Sequence, residues 1–477
     1  MTFTFYWHDY ETFGANPRHD RPSQFAGVRT DEALNEIGEP LVMYCKPPRD
    51  YLPHPEACLL TGITPQIADA QGLLEPEFIA RIHAEFSQPN TCGVGYNSLR
   101  FDDEVTRFTL YRNFYDPYAR EWQQGNSRWD IIDLVRMTYA LRPNGITWPQ
   151  HEDGQPSFKL EDLVAANGIA HESAHDALSD VRATIALARL LHTRQPRLYG
   201  WLLQLRDKRK ASAQLDLITR NPVLHTTRMY PAKTGCTSLV MPLISEPGNN
   251  NSVLVYDLRH DPEIFLPLNT DELTQLLFTR SGELPEGMQR LPVKSVKINK
   301  CPALAPRNTL DPDTAERIAL DLDTCYRHWQ KLNAYPDFFQ RVAAAYTRHI
   351  FEPSADVDVA LYDGFLDNAD AYLLAQIRRA TPQQLTSMRL DFHDQRLPEL
   401  LFRYRARNWP ETLTPAEMER WERLRLQRLT QENTDGNLIM DAFITHVSQL
   451  RDGHKNDVNA TAILNELEAW SHNLLNT

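Results

Sequence analysis

The chain has no apolar run long enough to span a bilayer, and its first residues lack the basic segment, apolar stretch and cleavage site of a secretory leader. Cytoplasmic residence is therefore the expectation. Cysteine is scarce and scattered: Cys45, Cys58, Cys92, Cys236, Cys301 and Cys325 include no close pair of zinc-ligand spacing. That spacing argues against a zinc ribbon or a disulfide framework, and reduced, mostly structural thiols are expected. Internal repeats and low-complexity tracts are missing as well. Positive charge is in deficit, with 50 Lys and Arg against 63 Asp and Glu and a formal net charge of −13. The deficit argues mildly against a nucleic-acid partner, since phosphate binding leans on Lys and Arg. Binding responds to the local field in a groove, however, so an acidic protein can still hold DNA if its cations gather on one surface.

What is present suits a globular chain. With 477 residues, 42% hydrophobic and 24% charged, roughly two to four domains can each bury a core without staples. Residues 1 to 192 alternate strand-like and helical patterns, as an α/β layered domain does. Strands are expected at Phe3–Thr12, Gln24–Thr30, Glu39–Cys45 and Thr91–Asn97, with helices at 77–86, from Asp102, around 130–141, from Phe158 and into Leu191. Thr64 followed by Pro65 reads as a helix N-cap. From 193 to 350, strand-like runs at 238–244, 252–257 and 293–300 stand between Gly, Pro and Asn turns and suggest a small β-rich domain. From 351 to 477, amphipathic segments at 369–379, 398–405 and 415–429 suggest a helical bundle.

Three places carry candidate chemistry. The first strand ends in Asp9-Tyr10-Glu11; strand side chains alternate, so the two carboxylates share a face. A cation between them, or a solvated strand end, would each account for the pair. Asp102 and Asp103 fall where a helix begins, a position the helix dipole favours for any acid. His175 and Asp180 are about 140° apart around an ideal helix and converge only if His175 sits on the turn leading in.

In chain order, Asp9, Glu11, Asp102, His175 and Asp180 resemble the DEDD superfamily of 3′→5′ exonucleases, in the branch whose fifth residue is histidine. The likeness extends through His8–Gly14, Gln24–Asp31, Thr61–Gln66 and Gly95–Arg107, and resumes at Asn299–Pro302 and Phe402–Asn408. Nearly the whole chain thus resembles the bacterial exonuclease I family. The resemblance implies an α/β ribonuclease-H-like nuclease domain over 1–192, an SH3-like β-rich domain over 193–350 and an all-α C-terminal domain over 351–477, forming a ring-like enclosure for one strand. It implies a 3′→5′ exodeoxyribonuclease that degrades single-stranded DNA to 5′-mononucleotides in repair and recombination. Such cleavage needs a hydroxide near neutral pH and compensation of charge on phosphate, which two divalent ions roughly 4 Å apart supply. Mg²⁺ suits four carboxylates, with Mn²⁺ able to substitute. Asp9 is read as bridging the ions, Glu11 and Asp180 as completing one site and Asp102 as serving the other. His175 would take the proton from the attacking water. The family's Asn-x3-Phe-Asp pattern selects Asp102; the sequence alone leaves Asp103 open.

By the same resemblance Glu11, Arg107, Tyr118, Trp122, Arg136 and Lys159 contact substrate. Lys159 stands where relatives carry Arg, keeping charge but losing bidentate reach. Lys208, Lys294, Asn299, Tyr362 and Phe365 are further candidates for phosphate contact or base stacking. The implied partners are single-stranded DNA and the acidic tail of single-stranded-DNA-binding protein, for which Arg142 is a candidate receiver; the docking site is left open, and the protein is expected to be a monomer. Two rivals are an RNA-trimming or proofreading nuclease, which tends to be one domain, and a catalytically silent binding scaffold, which has no need of all five site residues.

Overall fold

The first strand, β1 (Thr4–Thr12), sorts its side chains by parity. Tyr6 and Tyr10 enter a core with Phe25, Phe78, Ile79, Ile82 and Phe86, while Phe5, Trp7, Asp9 and Glu11 take the other face. Trp7 Nε1 donates to Thr30 Oγ1 at 2.9 Å, fixing the aromatic end of that face. β1 runs antiparallel to β2 (Pro22–Thr30), which pairs in turn with β3 (Leu41–Tyr44), and parallel to β4 (Thr91–Gly95). β1 is therefore an interior strand, held on both edges, and its C-terminal end is rigidly placed. Gly27 lies opposite His8, and a Cβ there would meet the Tyr6 hydroxyl at 2.2 Å. Only glycine lets that ring lie across β2.

The computed structural model describes residues 2–171, 176–347, 353–431 and 437–476. It divides into two compact units: Met1–Ser127 with His171–Arg182 and Pro353–Thr477, and Arg128–Ala170 with Ala183–Glu352. In the first unit, helices Pro55–Thr61, Pro65–Gln71, Glu75–Phe86 and Asp102–Arg112 accompany the sheet. Thr64 caps the second of these by accepting from Ile67 N, as its Thr-Pro sequence predicts. The C-terminal segment is all helical in its regular elements, among them Asn368–Arg379, Arg396–Asn408, Pro415–Thr430, Met440–Gly453 and Val458–Asn476. These helices share cores with the nuclease segment: Phe13, Tyr51, Leu52 and Cys58 pack with Phe443, Leu464, Leu467 and Trp470, and Phe108, Tyr111 and Phe114 with Leu374, Ile377 and Leu400.

A buried ion network reinforces that union. Arg407 Nη2 reaches Asp50 Oδ2 at 2.7 Å and Arg407 Nη1 reaches Asp358 Oδ1 at 2.8 Å. Arg428 Nε lies 3.0 Å from Asp50, and Arg403 and Arg21 also face Asp358, at 3.1 and 3.5 Å. Burial alone would raise the Asp358 carboxyl, but Arg407, Arg403 and Arg428 overcome it and hold the group well below the usual carboxylate range.

In the second unit, β5 (Ser127–Asp130) leads from the first into the helix Ile132–Leu141. An antiparallel sheet follows, built from β6 (Val223–Thr226), β7 (Thr237–Ser245), β8 (Ser252–Asp257), β9 (Val293–Lys297) and β10 (Ala303–Pro306), in the order β10-β6-β7-β8-β9. Three of these strands were expected, and the last of the three ends at Lys297 rather than Lys300. β6 and β10 escaped the sequence pattern because each has four residues and abuts proline. Pro306 is accommodated because β10 is an edge strand. Among the described residues no helix is long and apolar enough to cross a membrane.

Candidate active site

Two parallel strands deliver the acids. Asp9 and Glu11 sit at the C-terminal end of β1, opposite Ala26 and Gln24 of β2, with a bulge just beyond Glu11. β4 ends at Gly95 and hands the chain to the helix that begins at Asp102. Tyr10 N, between the two β1 acids, donates to Asp102 Oδ1 at 3.0 Å, and Thr106 Oγ1 bonds the Asp102 carbonyl at 2.8 Å. Asp180 comes from the first turn of the helix Ala177–Arg194. The start of that helix is tied back to the sheet: Ala177 N donates to Gln24 Oε1 at 3.3 Å, and Gln24 is the residue paired with Glu11. Oxygen atoms of Asp9, Glu11 and Asp180 lie within 4.8 Å of one another, with Glu11 buried and the other two half-buried.

Asp103, left open by the sequence, has another employment. Arg120 Nη2 holds its Oδ1 at 2.7 Å, and His8 Nε2 lies 3.9 Å away. Burial pushes the His8 imidazole down to about 4, so it is neutral and adds no charge beside this pair. Asp102, not Asp103, is the acid that faces Asp9 and Glu11.

Concentrated negative charge dominates the electrostatics. Burial raises the Asp9 carboxyl well above its ordinary range, with Asp102, Glu11, Asp180 and Asp176 adding to the effect. Burial, then Asp180, Asp102 and Asp176, push Glu11 up to about 8. Carboxylates so placed are relieved by a divalent cation, and an all-oxygen donor set suits a hard one. His175 lies outside the described residues. The histidine seen against Asp180 is His171, whose Nε2 is 2.5 Å from Asp180 Oδ1. Its only sequence signal was its place four residues before His175.

Residues 6–188 match a family model described as exonuclease, 206–348 one for the exonuclease I SH3-like domain, and 355–474 one for the exonuclease I C-terminal domain. The exodeoxyribonuclease I of Escherichia coli strain K12 is 46% identical over 473 residues, spanning 99% of this chain and 98% of that protein. The chain belongs to the exonuclease I family. Exonuclease I of Methylocaldum szegediense, described as moderately thermophilic, superposes with a TM-score of 0.95 at 49% identity, over 99% of each chain. The zinc-ion-bound complex of E. coli exonuclease I with single-stranded DNA gives 0.94 at 45% identity, over 100% of each. The nuclease, SH3-like and helical succession expected from the sequence is that of exonuclease I, and the chain is accordingly an exodeoxyribonuclease, a hydrolase.

The residues expected along a DNA path in exonuclease I are differently disposed. In the first unit Arg107 is buried, its Nε 2.7 Å from Glu121 and its Nη1 2.9 Å from Glu104. Its guanidinium lies 5.1 Å over the Tyr118 ring and donates to the Tyr362 hydroxyl at 3.1 Å, while that hydroxyl donates to Glu104. Arg107 is thus neutralised by two acids and sets the aromatics. Phe365 is 91% exposed with its ring 6.1 Å from Tyr118, and Trp122 is 65% exposed, as stacking surfaces must be. In the second unit Arg136 is paired to Asp133 at 2.7 Å. Lys159 caps the helix Leu160–Ala166 with its amine exposed, 3.6 Å from Glu161. Lys208 and Asn299 are exposed. Lys294 Nζ sits 4.9 Å over the Tyr230 ring, and burial lowers its pKa. Neither the positioning contact of Gln24 nor the pairing of Glu104 and Glu121 with Arg107 follows from sequence spacing, since each is made across the fold or between neighbouring elements.

Proposed function

We propose that this chain removes nucleotides from the 3′ end of single-stranded DNA and releases 5′-mononucleotides by two-metal-ion hydrolysis. The observation that carries the reading is the approach of Asp9, Glu11 and Asp180 oxygens within 4.8 Å, with Asp102 held beside them through Tyr10 N. A pair of divalent cations, Mg²⁺ by preference and Mn²⁺ in its place, would lower the pKa of the attacking water and offset charge on the phosphate. Asp9 would face both ions, Glu11 and Asp180 one, and Asp102 the other. Interior placement of β1 fixes Asp9 and Glu11 to the tolerance such a site demands. Arg120 keeps Asp103 out of the site, and His175 is assigned the proton of the water. Tyr118, Trp122, Tyr362 and Phe365 would stack bases, with Lys159, Lys208, Lys294, Asn299 and Arg136 along the phosphates.

The same reading makes the protein a cytoplasmic monomer acting on 3′ ends exposed in repair and recombination, in company with single-stranded-DNA-binding protein. Arg142, bonded to the Thr309 carbonyl at 2.8 Å and 3.9 Å from Asp311, is the candidate receiver of that partner's acidic tail. Incubation of 3′-labelled DNA and RNA oligonucleotides with and without EDTA tests the function. Stepwise loss of nucleotides from DNA, only when metal is present, is expected. Metal-independent cleavage, or none on DNA, overturns the reading, and preference for RNA transfers it to an RNA-trimming enzyme.

A further inference from the structure

The helix Asp102–Arg112 opens with two acids, Asp102 and Asp103. Neighbours on a helix point about 100° apart, so fixing the direction of Asp103 fixes that of Asp102. Arg120 supplies the fixing: its Nη2 lies 2.7 Å from Asp103 Oδ1, both side chains are buried, and its guanidinium rests 4.5 Å over the Phe86 ring. Such a pair is costly to part, because each member would be left as an uncompensated buried charge. One turn further along the same helix face, Arg107 receives Glu121, the residue after Arg120, through Nε at 2.7 Å and Nη2 at 2.8 Å. The turn Ala119–Glu121 is therefore bolted to the helix by two successive pairs of opposite sign. It leads at once to Trp122. Arg120 is 4% exposed and Trp122 is 65% exposed, so one end of the segment reaches into the core while the other presents a ring to solvent. Asp116 Oδ1 accepts from Tyr118 N at 2.8 Å and Ala119 N at 3.2 Å, and Glu121 N donates to the Tyr118 carbonyl at 2.9 Å, which makes the segment one stiff piece.

We propose that Arg120 is a positioning residue that couples this stacking segment to the metal-binding acids. A base stacked on Trp122 steadies the segment, Arg120 passes that order through Asp103 to the first turn of the helix, and Asp102 is held against Tyr10 N, from which it accepts at 3.0 Å. The inference rests on the nuclease reading, in which Asp102 serves a metal ion and Trp122 a base. Little else restrains that first turn from the side of the sheet: Thr106 Oγ1 bonds the Asp102 carbonyl at 2.8 Å and the Tyr10 hydroxyl at 3.1 Å, contacts that hold the backbone but leave the carboxylate's direction to its neighbour. Coupling between two binding events is reciprocal. A strand on Trp122 thus favours the complete carboxylate set, and the complete set favours the strand.

Two measurements on the full-length protein test this. In EDTA, where the proposed chemistry is stopped, hydrogen exchange of the Tyr10 amide reports on Asp102 directly. A single-stranded thymidine oligonucleotide should slow that exchange about tenfold in the wild type, the worth of one ordinary hydrogen bond. In Arg120→Met/Asp103→Asn, which removes both charges so that neither is left buried alone, the Tyr10 amide should exchange at one rate with and without the oligonucleotide. The Trp7 amide, on a residue paired to both β2 and β4, should keep its wild-type protection and so show that β1 is folded. In Mg²⁺, the half-saturating metal concentration for single-turnover cleavage should rise about 10- to 100-fold in the double variant, and Arg120→Lys, which keeps the charge, should recover most of that loss. Trp122→Ala should raise the same concentration in the wild type and add nothing in the double variant, whereas a merely structural pair gives additive effects. A Tyr10 amide that ignores the oligonucleotide in the wild type, or responds equally in both proteins, overturns the proposal, as does additivity with Trp122→Ala. If the wild type cleaves no DNA, the nuclease reading itself falls; if it cleaves and the coupling is absent, only this inference falls.

Discussion

Replacing Glu11 with Gln should stabilise the metal-free protein at alkaline pH while removing its metal-dependent activity. In the folded state Glu11 is pushed from 4.5 to about 8. A carboxyl whose pKa is raised by folding binds its proton more tightly in the native state than in the unfolded one. Stability is therefore complete below about pH 4.5, falls as pH rises, and levels off above pH 8. That rise, at about 1.4 kcal/mol for each tenfold change in proton affinity, makes the loss at most on the order of 5 kcal/mol, because water entry and side-chain relaxation soften it. Glutamine carries no such charge. Hydrogen exchange of the Tyr6–Tyr10 amides in EDTA, read at several pH values, reports on the unit that holds β1 rather than on the whole chain. Wild type and Glu11→Gln should protect these amides nearly equally near pH 5, and the variant should be the better protected near pH 8.5, by at most about 5 kcal/mol. Added Mg²⁺ should restore the wild type and do much less for the variant. Parallel pH curves, or a variant less protected at pH 8.5, would refute the view that like-charge repulsion and burial govern this site.

Asp180→Ala should abolish cleavage and leave single-strand binding, measured by fluorescence anisotropy in EDTA, within about threefold, since the aromatic and basic contacts are elsewhere. His171→Ala and His175→Ala should separate: loss of a base costs about 10²- to 10⁴-fold in kcat, whereas loss of the group bonded to Asp180 should raise the half-saturating metal concentration about 10- to 100-fold. Metal titration of single-turnover rates distinguishes them. Asp358→Asn should destabilise the first unit by about 3–5 kcal/mol at pH 7, as expected when one partner of a buried ion cluster is removed. Because the Asp358 carboxyl is depressed by its arginines, the wild-type advantage is present above about pH 4 and should vanish as pH falls below that; urea unfolding at pH 7 and pH 2.5 checks the sign.

The strand that carries Asp9 and Glu11 was readable because a two-residue period needs nothing beyond itself, and the helix at Asp102 because its acids mark a first turn. The choice between Asp102 and Asp103 was not. Both are acids at the start of one helix, and what separates them is Tyr10 N on one side and Arg120 on the other, contacts made 92 and 17 residues away along the chain. The same limit applies more strongly to the C-terminal segment. Three of its helices were evident from amphipathic spacing, while Met440–Gly453 and Val458–Asn476 were not singled out, and nothing in that spacing reveals that Arg407 would meet Asp50 across 357 residues or that Phe13 would share a core with Trp470.

This union bears on the site directly. The loop after β1 carries Phe13, whose carbonyl accepts from the Tyr51 hydroxyl at 3.1 Å, and Asp20, which accepts from the same hydroxyl. Gly14 must be glycine there, because a Cβ would fall 2.1 Å from the Asp20 carboxylate. Tyr51 is the neighbour of Asp50, which Arg407 and Arg428 anchor. The chain immediately beyond Glu11 is thus braced by the C-terminal helices, and the acids at the end of β1 depend for their placement on residues far from them in sequence.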